Sequence, residues 1–381
     1  MKIGLLPRIV LAIILGIILG NVLSLPWVKV FVTFNAIFSQ FLGFMIPLII
    51  VGLVTPAIAD IGKAAGRLLL MTVAIAYVDT ILSGILAWGT GTWLFPAMVE
   101  GTSHVVKVEE SVTIAPYFSI QIPPIIDVMS GLVLSFMMGL AIAYGNLVAL
   151  KGVFGEFRQV ITTAISKAII PLLPLYIFGI FLQMTHTGQA YRIMLVFVQI
   201  ICVIFVLHLF ILLYQFCIAG AFVKKHPLKL LWNMLPAYLT ALGTSSSAAT
   251  IPVTLKQTIK NGVSADIAGF TIPLCATIHM SGSAMKITAC ALTICLMEGI
   301  PHDFTVFLGF ILMLGIVMVA APGVPGGAIM AALAPLASIL GFGSEEQALM
   351  IALYIAMDSF GTACNVTGDG AIALVVDRLS K

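Results

Sequence analysis

Apolar positions in this chain run in long unbroken stretches. They show neither the alternation of a half-buried strand nor the one-sided stripe of a surface helix. The stretches 3–25, 34–58, 67–95, 123–147, 159–184 and 192–222 each reach the ~20 residues that carry a helix across a hydrocarbon core of ~30 Å. Short alternating segments, the mark of a membrane β-barrel, are not seen in the sequence. The first run lacks a small-residue cleavage site and is followed at once by more apolar sequence, so it predicts a retained helix, not a signal peptide. Past residue 222 the pattern changes. The stretch 228–259 is polar in its middle, at Gly243–Ser247, and 264–298 is interrupted at His279–Ser283. The stretch 304–342 is broken by Ala321–Gly327, and 346–379 is predicted to break over Gly361–Gly370. The predicted fold class is an all-α polytopic membrane protein.

Composition agrees with that pattern. Of 381 residues, 61% are hydrophobic and 9% charged, where soluble domains carry about 25% charge. The mean hydropathy is +1.18. The net charge of +3 says less than its distribution. Suppose the first six spans alternate and 228–259 dips in and returns. Then Lys2, Arg8, Lys63, Arg67, Lys151, Arg158, Lys167, Lys224, Lys225, Lys229, Lys256, Lys260, Arg378 and Lys381 share one side. Lys29, Lys107 and Arg192 take the other, beside Glu100, Glu109, Glu110, Glu298, Asp303, Glu345 and Glu346. The excess of Lys and Arg makes the first side cytoplasmic, with both termini on it; a plasma (inner) membrane is the expected location. This works only if 228–259 and 304–342 are re-entrant hairpins entering from opposite faces. The C-terminal half then reads hairpin, broken helix, hairpin, broken helix, the form of an inverted-topology repeat, which places its site near the midplane. Non-helical backbone at that depth must be buried in protein or line a cavity. The six cysteines lie in apolar segments without metal-ligand spacing and are expected as buried free thiols. A P-loop is absent from the sequence, so ATP is not expected as the direct energy source.

Three clusters carry candidate chemistry. Thr244–Ser247 places hydroxyls and free backbone N–H groups where a half-helix begins, which attracts anions such as a carboxylate. Plain Ser/Thr packing between membrane helices is the bland alternative. The tip 321–327, with Gly323 and Val324, bars a continuous helix and reads as a gate or as a simple kink. In the last segment Asp358, Thr362, Asn365 and Asp369 follow i, i+4, i+7, i+11 spacing and share one helical face. Carboxylates at membrane depth are functional candidates by default. Gly368 and Gly370 are expected to unwind the helix locally and free carbonyls for a cation. A structural polar seam is the alternative.

The pieces Thr244-Ser245-Ser246-Ser247-Ala248-Ala249-Thr250-Ile251-Pro252-Val253-Thr254, Gly323-Val324-Pro325-Gly326 and Asn365-Val366-Thr367-Gly368-Asp369 resemble the dicarboxylate/amino acid:cation symporter family, the glutamate-transporter fold, over the last ~150 residues. The N-terminal half is similar in helix pattern alone. The resemblance implies eight transmembrane helices plus two opposed re-entrant hairpins, in a homotrimer that moves its transport domain like an elevator. Scaffold helices would lie in 1–66 and 123–184. The transport domain would take 67–95, 192–222, hairpin 228–259, broken helix 264–298, hairpin 304–342 and broken helix 346–379. Ser246 and Ser247 would hold the substrate carboxylate, with Gly323 and Val324 opposite. Asp358 would bind an amino group, and Thr362 and Asn365 would contact substrate. Asp369 would be the carboxylate of a sodium site, with the carbonyls of Asn365 and His279 nearby and Tyr77 and Thr80 close to the family's other sodium ligands. Sodium, or else a proton, would be the coupling ion, with no other cofactor. The expected partners are an amino acid and membrane lipid, with no nucleic acid.

Departures from the family pattern narrow this picture. Acidic-substrate members place an arginine three residues after the aspartate; here that position is Gly361, and no cation replaces it nearby in the sequence. A neutral amino acid is therefore the expected substrate, with an acidic amino acid or dicarboxylate, or obligate exchange, as alternatives. The family's Asn-Met-Asp-Gly-Thr is His279-Met280-Ser281-Gly282-Ser283 here, without the second carboxylate. Lys286 follows in an apolar run, and Asp79 lies in the third span; an Asp79–Lys286 pair whose ammonium replaces a bound sodium is one reading, because an unpaired charge there is costly, and the alternative is that each snorkels or lines water separately. His279 is a possible proton site or a satisfied interior histidine. A channel would show a symmetric filter or charged ring, and a membrane enzyme would need a nucleophile placed against His279. Neither is legible in the sequence.

Overall fold

The computed structural model describes residues 5–63, 67–103, 114–188, 190–319, 321 and 326–380. The regular elements of the described residues are all helices. Its first half comprises α1 (Leu5–Gly20), α2 (Leu25–Lys63), α3 (Arg67–Ser103), α4 (Val128–Gly145), α5 (Val148–Ala164), α6 (Ile170–His186) and α7 (Ala190–Val223). A π-helical turn, Ile165–Ile169, joins α5 to α6 without a break. It lies just before Pro171, whose missing N–H interrupts the α ladder.

Local chemistry moves several boundaries from the sequence reading. The first apolar run ends early, at Gly20, and α2 begins at Leu25, nine residues before the expected 34. The fourth span starts at Val128, because Pro123 and Pro124 hold an extended segment and Asp127 caps the helix by accepting from the Ser130 N–H at 3.0 Å. It stops at Asn146, which takes the left-handed conformation (φ 54°).

The second half comprises α8 (Pro227–Thr244), α9 (Ser247–Lys260), α10 (Ala265–Ile278), α11 (Ser281–Glu298), α12 (Phe304–Val319), α13 (Gly327–Ser338), α14 (Ser344–Ala356) and α15 (Asp358–Leu379). Here α8 packs on α9 and α12 on α13, and the breaks at Ser245–Ser246 and His279–Met280 fall where the polar interruptions lie. The last break does not. It comes at Met357, with a bend of 63° between α14 and α15, and α15 then runs unbroken through Gly361, Gly368 and Gly370. These glycines serve close packing instead of unwinding. A Cβ at Gly368 would lie 2.7 Å from Gln215 Oε1 and 2.8 Å from the His279 ring.

Among the described residues, five runs are long and apolar enough to cross a membrane: Leu25–Ala59, Arg67–Glu100, Val148–His186, Ile193–Val223 and Ala265–Glu298. The bent α14–α15 pair is a sixth if taken as one span. Large apolar side chains such as Leu11, Leu82, Trp93 and Leu209 are exposed on α1, α3 and α7, as expected for a multi-pass integral membrane protein. Cys202 and Cys217 share this outer face, contrary to the expectation of burial, whereas Cys275, Cys290, Cys295 and Cys364 are buried; all six are free thiols.

Packing sets α15 at the centre. It is surrounded by α7, α8, α9, α10 and α11, and α3 lies along α11. The helices α1, α2, α4, α5 and α6 pack chiefly on one another. Consequently the polar face of α15 is buried in protein, the condition under which carboxylates persist at membrane depth.

Candidate functional site

The bend at Met357 puts Asp358 at the first turn of α15, where the positive end of the helix dipole favours a carboxylate. Asp358 Oδ2 accepts from the Gly326 N–H, just before α13, at 2.8 Å. Its Oδ1 lies 3.6 Å from Lys286 Nζ, which α11 supplies. The Lys286 side chain is 1% exposed. Its ammonium donates to the Met357 carbonyl at 3.2 Å and stands 3.5 Å from the centre of the Tyr354 ring.

The expected Asp79–Lys286 pair is thus not the one formed. Lys286 sits one turn into α11 on the side facing Asp358, and Asp79 has other partners. The sequence reading also missed a cation near Gly361. A Cβ there would lie 2.6 Å from Lys286 Nζ and 2.9 Å from its Cε, so the glycine leaves room for an ammonium supplied by another helix.

Further along the same face, Thr362 donates back to the Asp358 carbonyl at 2.9 Å. Asn365 caps α11 from outside: its Oδ1 accepts from the Gly282 N–H at 2.8 Å and the Ser283 N–H at 3.3 Å. Its Nδ2 donates to Ser283 Oγ at 3.1 Å. The α8–α9 connection meets this turn as well, with Ser245 Oγ and Ser359 Oγ 2.6 Å apart. Ser245 adopts the left-handed conformation (φ 49°), which ends α8 and turns the chain. Ser246 is the N-cap of α9, accepting from the Ala249 N–H at 3.3 Å, and Ser247 is buried beside it. The expected contacts Gly323 and Val324 lie outside the described residues.

A second polar cluster lies deeper. His279, in the break between α10 and α11, is buried between two carboxylates. Its Nδ1 is 2.8 Å from Asp369 Oδ1 and its Nε2 is 2.8 Å from Asp79 Oδ2. A proton must lie in each gap, so the ring and its two acids together hold one proton more than a neutral imidazole brings. Asp79 has two further donors: Tyr214 OH gives to Oδ1 at 2.6 Å and Gln215 Nε2 to Oδ2 at 2.6 Å. Gln215 also donates to Ser281 Oγ at 3.1 Å. Tyr214 and Gln215 escaped the sequence reading, although a Tyr-Gln pair inside the apolar run of α7 was the available signal. The same residues form one wall of an apolar cleft of about 310 Å³ between α3, α7 and α15.

Of the other expected cation contacts, Thr80 Oγ1 donates to the Ala76 carbonyl at 2.8 Å and accepts weakly from the Met280 N–H at 3.4 Å. Tyr77 turns away to α12, donating to the Leu312 carbonyl at 3.1 Å. Asp369 and Asp79 therefore hold an imidazole where the resemblance places sodium. A metal ion would share these oxygens with a proton-bearing ring and with the Tyr214 and Gln215 donors, and this donor set does not fit it.

Comparison with known proteins places the chain among transporters. The serine/threonine transporter SstT of Acinetobacter baumannii is 28% identical over 409 aligned residues, covering 100% of this chain and 98% of that protein. The neutral amino acid transporter B(0) of Mus musculus is 32% identical over 162 residues, 41% of this chain and 29% of its own. The excitatory amino acid transporter 2 of Homo sapiens is 32% identical over 159 residues, 42% of this chain and 28% of its own. These relatives are transporters, not enzymes, and the family's own description carries sodium as the coupling ion. The model of that family matches residues 5–379, and the chain belongs to the sodium:dicarboxylate symporter family.

Proposed function

We propose that this protein is a secondary active symporter that carries a neutral amino acid across the plasma (inner) membrane together with a cation. One observation carries the reading. The starts of two separate helices, α9 and α13, converge on the first turn of α15, through Ser245–Ser359 at 2.6 Å and Gly326–Asp358 at 2.8 Å. A substrate carboxylate placed at the α9 N-terminus by Ser246 and Ser247 leaves its ammonium facing Asp358, with Thr362 beside it. Lys286 is committed to Asp358 and the Met357 carbonyl, so the pair presents no free positive charge for a second carboxylate. The full-length likeness to a serine/threonine transporter makes serine and threonine the first substrates to try.

The reading includes a homotrimer in which 67–95, 192–222 and the C-terminal half move against 1–66 and 123–184, with both termini cytoplasmic. Ligand binding favours the conformer that moves, which couples the two fluxes.

A second reading has its own observation. Lys286 stands against Gly361, where acidic-substrate members of the family keep arginine, and once released from Asp358 its ammonium would be free to receive a side-chain carboxylate. Uptake into proteoliposomes under imposed sodium or proton gradients separates the two. Serine, threonine or alanine uptake that is lost in Asp358→Ala supports the first reading. Saturable uptake of aspartate or succinate, with no competition by serine, replaces it with the second.

A further inference from the structure

We infer that this transporter supplies its own cations to the buried carboxylates Asp79, Asp358 and Asp369, that His279 is the group that excludes sodium between Asp79 and Asp369, and that sodium is not a ligand of these described residues. The inference rests on the transporter reading only for its uptake arm.

Among the described residues, four buried acids lie on or beside α15, all at most 9% exposed; Asp377, near its end, accepts from Ser264, and the other three, Asp79, Asp358 and Asp369, define the region. Each of these three has a side-chain cation or a proton-bearing ring in contact. His279 spans Asp79 and Asp369 at 2.8 Å on both sides, and Lys286 reaches Asp358 at 3.6 Å. Both nitrogenous side chains come from one short stretch, the break before α11 and the second turn of that helix.

The geometry leaves little for a hard cation, which needs oxygen lone pairs and no positive neighbour. Both oxygens of Asp79 and one of Asp369 already accept hydrogen bonds. Ser281 stands where the family motif has a carboxylate, and its hydroxyl accepts from Gln215. The Asn365 carbonyl, expected among the cation contacts, lies inside unbroken α15, where the helical ladder takes it up. A sodium ion entering between Asp79 and Asp369 would have to displace the His279 ring, whose two nitrogens each lie 2.8 Å from a carboxylate oxygen and fill that gap. The imidazole also fits too well to be a passing occupant. Gly368 packs against it, a Cβ there coming within 2.8 Å of the His279 ring.

The first test needs no knowledge of the substrate. Thermal unfolding of the purified full-length protein is followed in sodium chloride and in choline chloride at equal ionic strength. A sodium site with a Kd of 1 mM would raise the folded-to-unfolded ratio about 100-fold in 100 mM sodium. The wild type is expected to melt at the same temperature in both salts. His279→Asn, which removes the tethered group, is expected to melt higher in sodium than in choline. A saturable sodium-specific rise in the wild type, or its absence in a folded His279→Asn, overturns the inference.

The second test is uptake of serine or threonine with choline replacing sodium on both sides of the membrane. Equal uptake supports the inference, and a fall of tenfold or more overturns it. If none of the amino acids tried is taken up in either salt, the functional reading fails, while the melting comparison still decides the sodium question.

Discussion

Replacing Lys286 with methionine keeps the unbranched stem of the side chain and deletes its charged end. In the wild type the ammonium faces Asp358 Oδ1 at 3.6 Å with its side chain 1% exposed. At an effective dielectric of about 20, two unit charges at that separation attract by roughly 5 kcal/mol. Desolvation of both groups cancels part of this, so the pair's net contribution is smaller than its Coulomb term. Removing one partner is a different matter, because it strands the other, which typically costs about 3–5 kcal/mol. Asp358 keeps the Gly326 N–H as a donor, which places the expected loss near the low end, about 3 kcal/mol. Asp358→Asn should relieve much of that, since the amide needs no counter-charge. The assay is a double-mutant cycle by unfolding of purified protein in detergent: wild type, Lys286→Met, Asp358→Asn and the double variant. A coupling of about 1–3 kcal/mol is expected, and the parallel cycle with Asp79→Asn should be additive to within about 0.5 kcal/mol. The reasoning is refuted if the Asp358 cycle is additive, or if the Asp79 cycle carries the larger coupling.

Other perturbations follow from the same contacts. Gly361→Ala puts a Cβ 2.6 Å from Lys286 Nζ; displacing the ammonium should cost about 1–3 kcal/mol of stability and cut uptake at least tenfold, as read by melting and transport assays. Ser246→Ala removes the α9 cap, at a cost of about 1 kcal/mol, and should raise KM for a carboxylate substrate far more than it lowers the maximal rate. Gln215→Leu leaves Asp79 Oδ2 and Ser281 Oγ each short of a donor. A loss of about 1–3 kcal/mol in unfolding free energy is expected, against little change for Leu213→Ala on the exposed face of the same helix.

Much of this protein is determined by the sequence alone. Its apolar runs specify membrane helices, because a backbone in lipid must satisfy its own hydrogen bonds and does so as helix. The polar tips around Ser246 and His279 mark where those helices break, and Asp358, Thr362, Asn365 and Asp369 do share one buried face, because their spacing follows the helical period. The family could be read from three short motifs. What tertiary structure decided is which charge meets which. Asp79 and Lys286 were the natural pair on the linear chain, yet Lys286 leans on Asp358 and Asp79 belongs to His279, Tyr214 and Gln215. The glycines of α15 looked like points of unwinding and proved to be points of contact, visible only once Lys286, Gln215 and Met234 arrive from other helices. The physical reason is the same in each case. Helical period is set within one segment, whereas partner choice for a buried charge depends on how neighbouring helices are rotated and how far they are shifted, and both are fixed by packing across segments far apart in sequence.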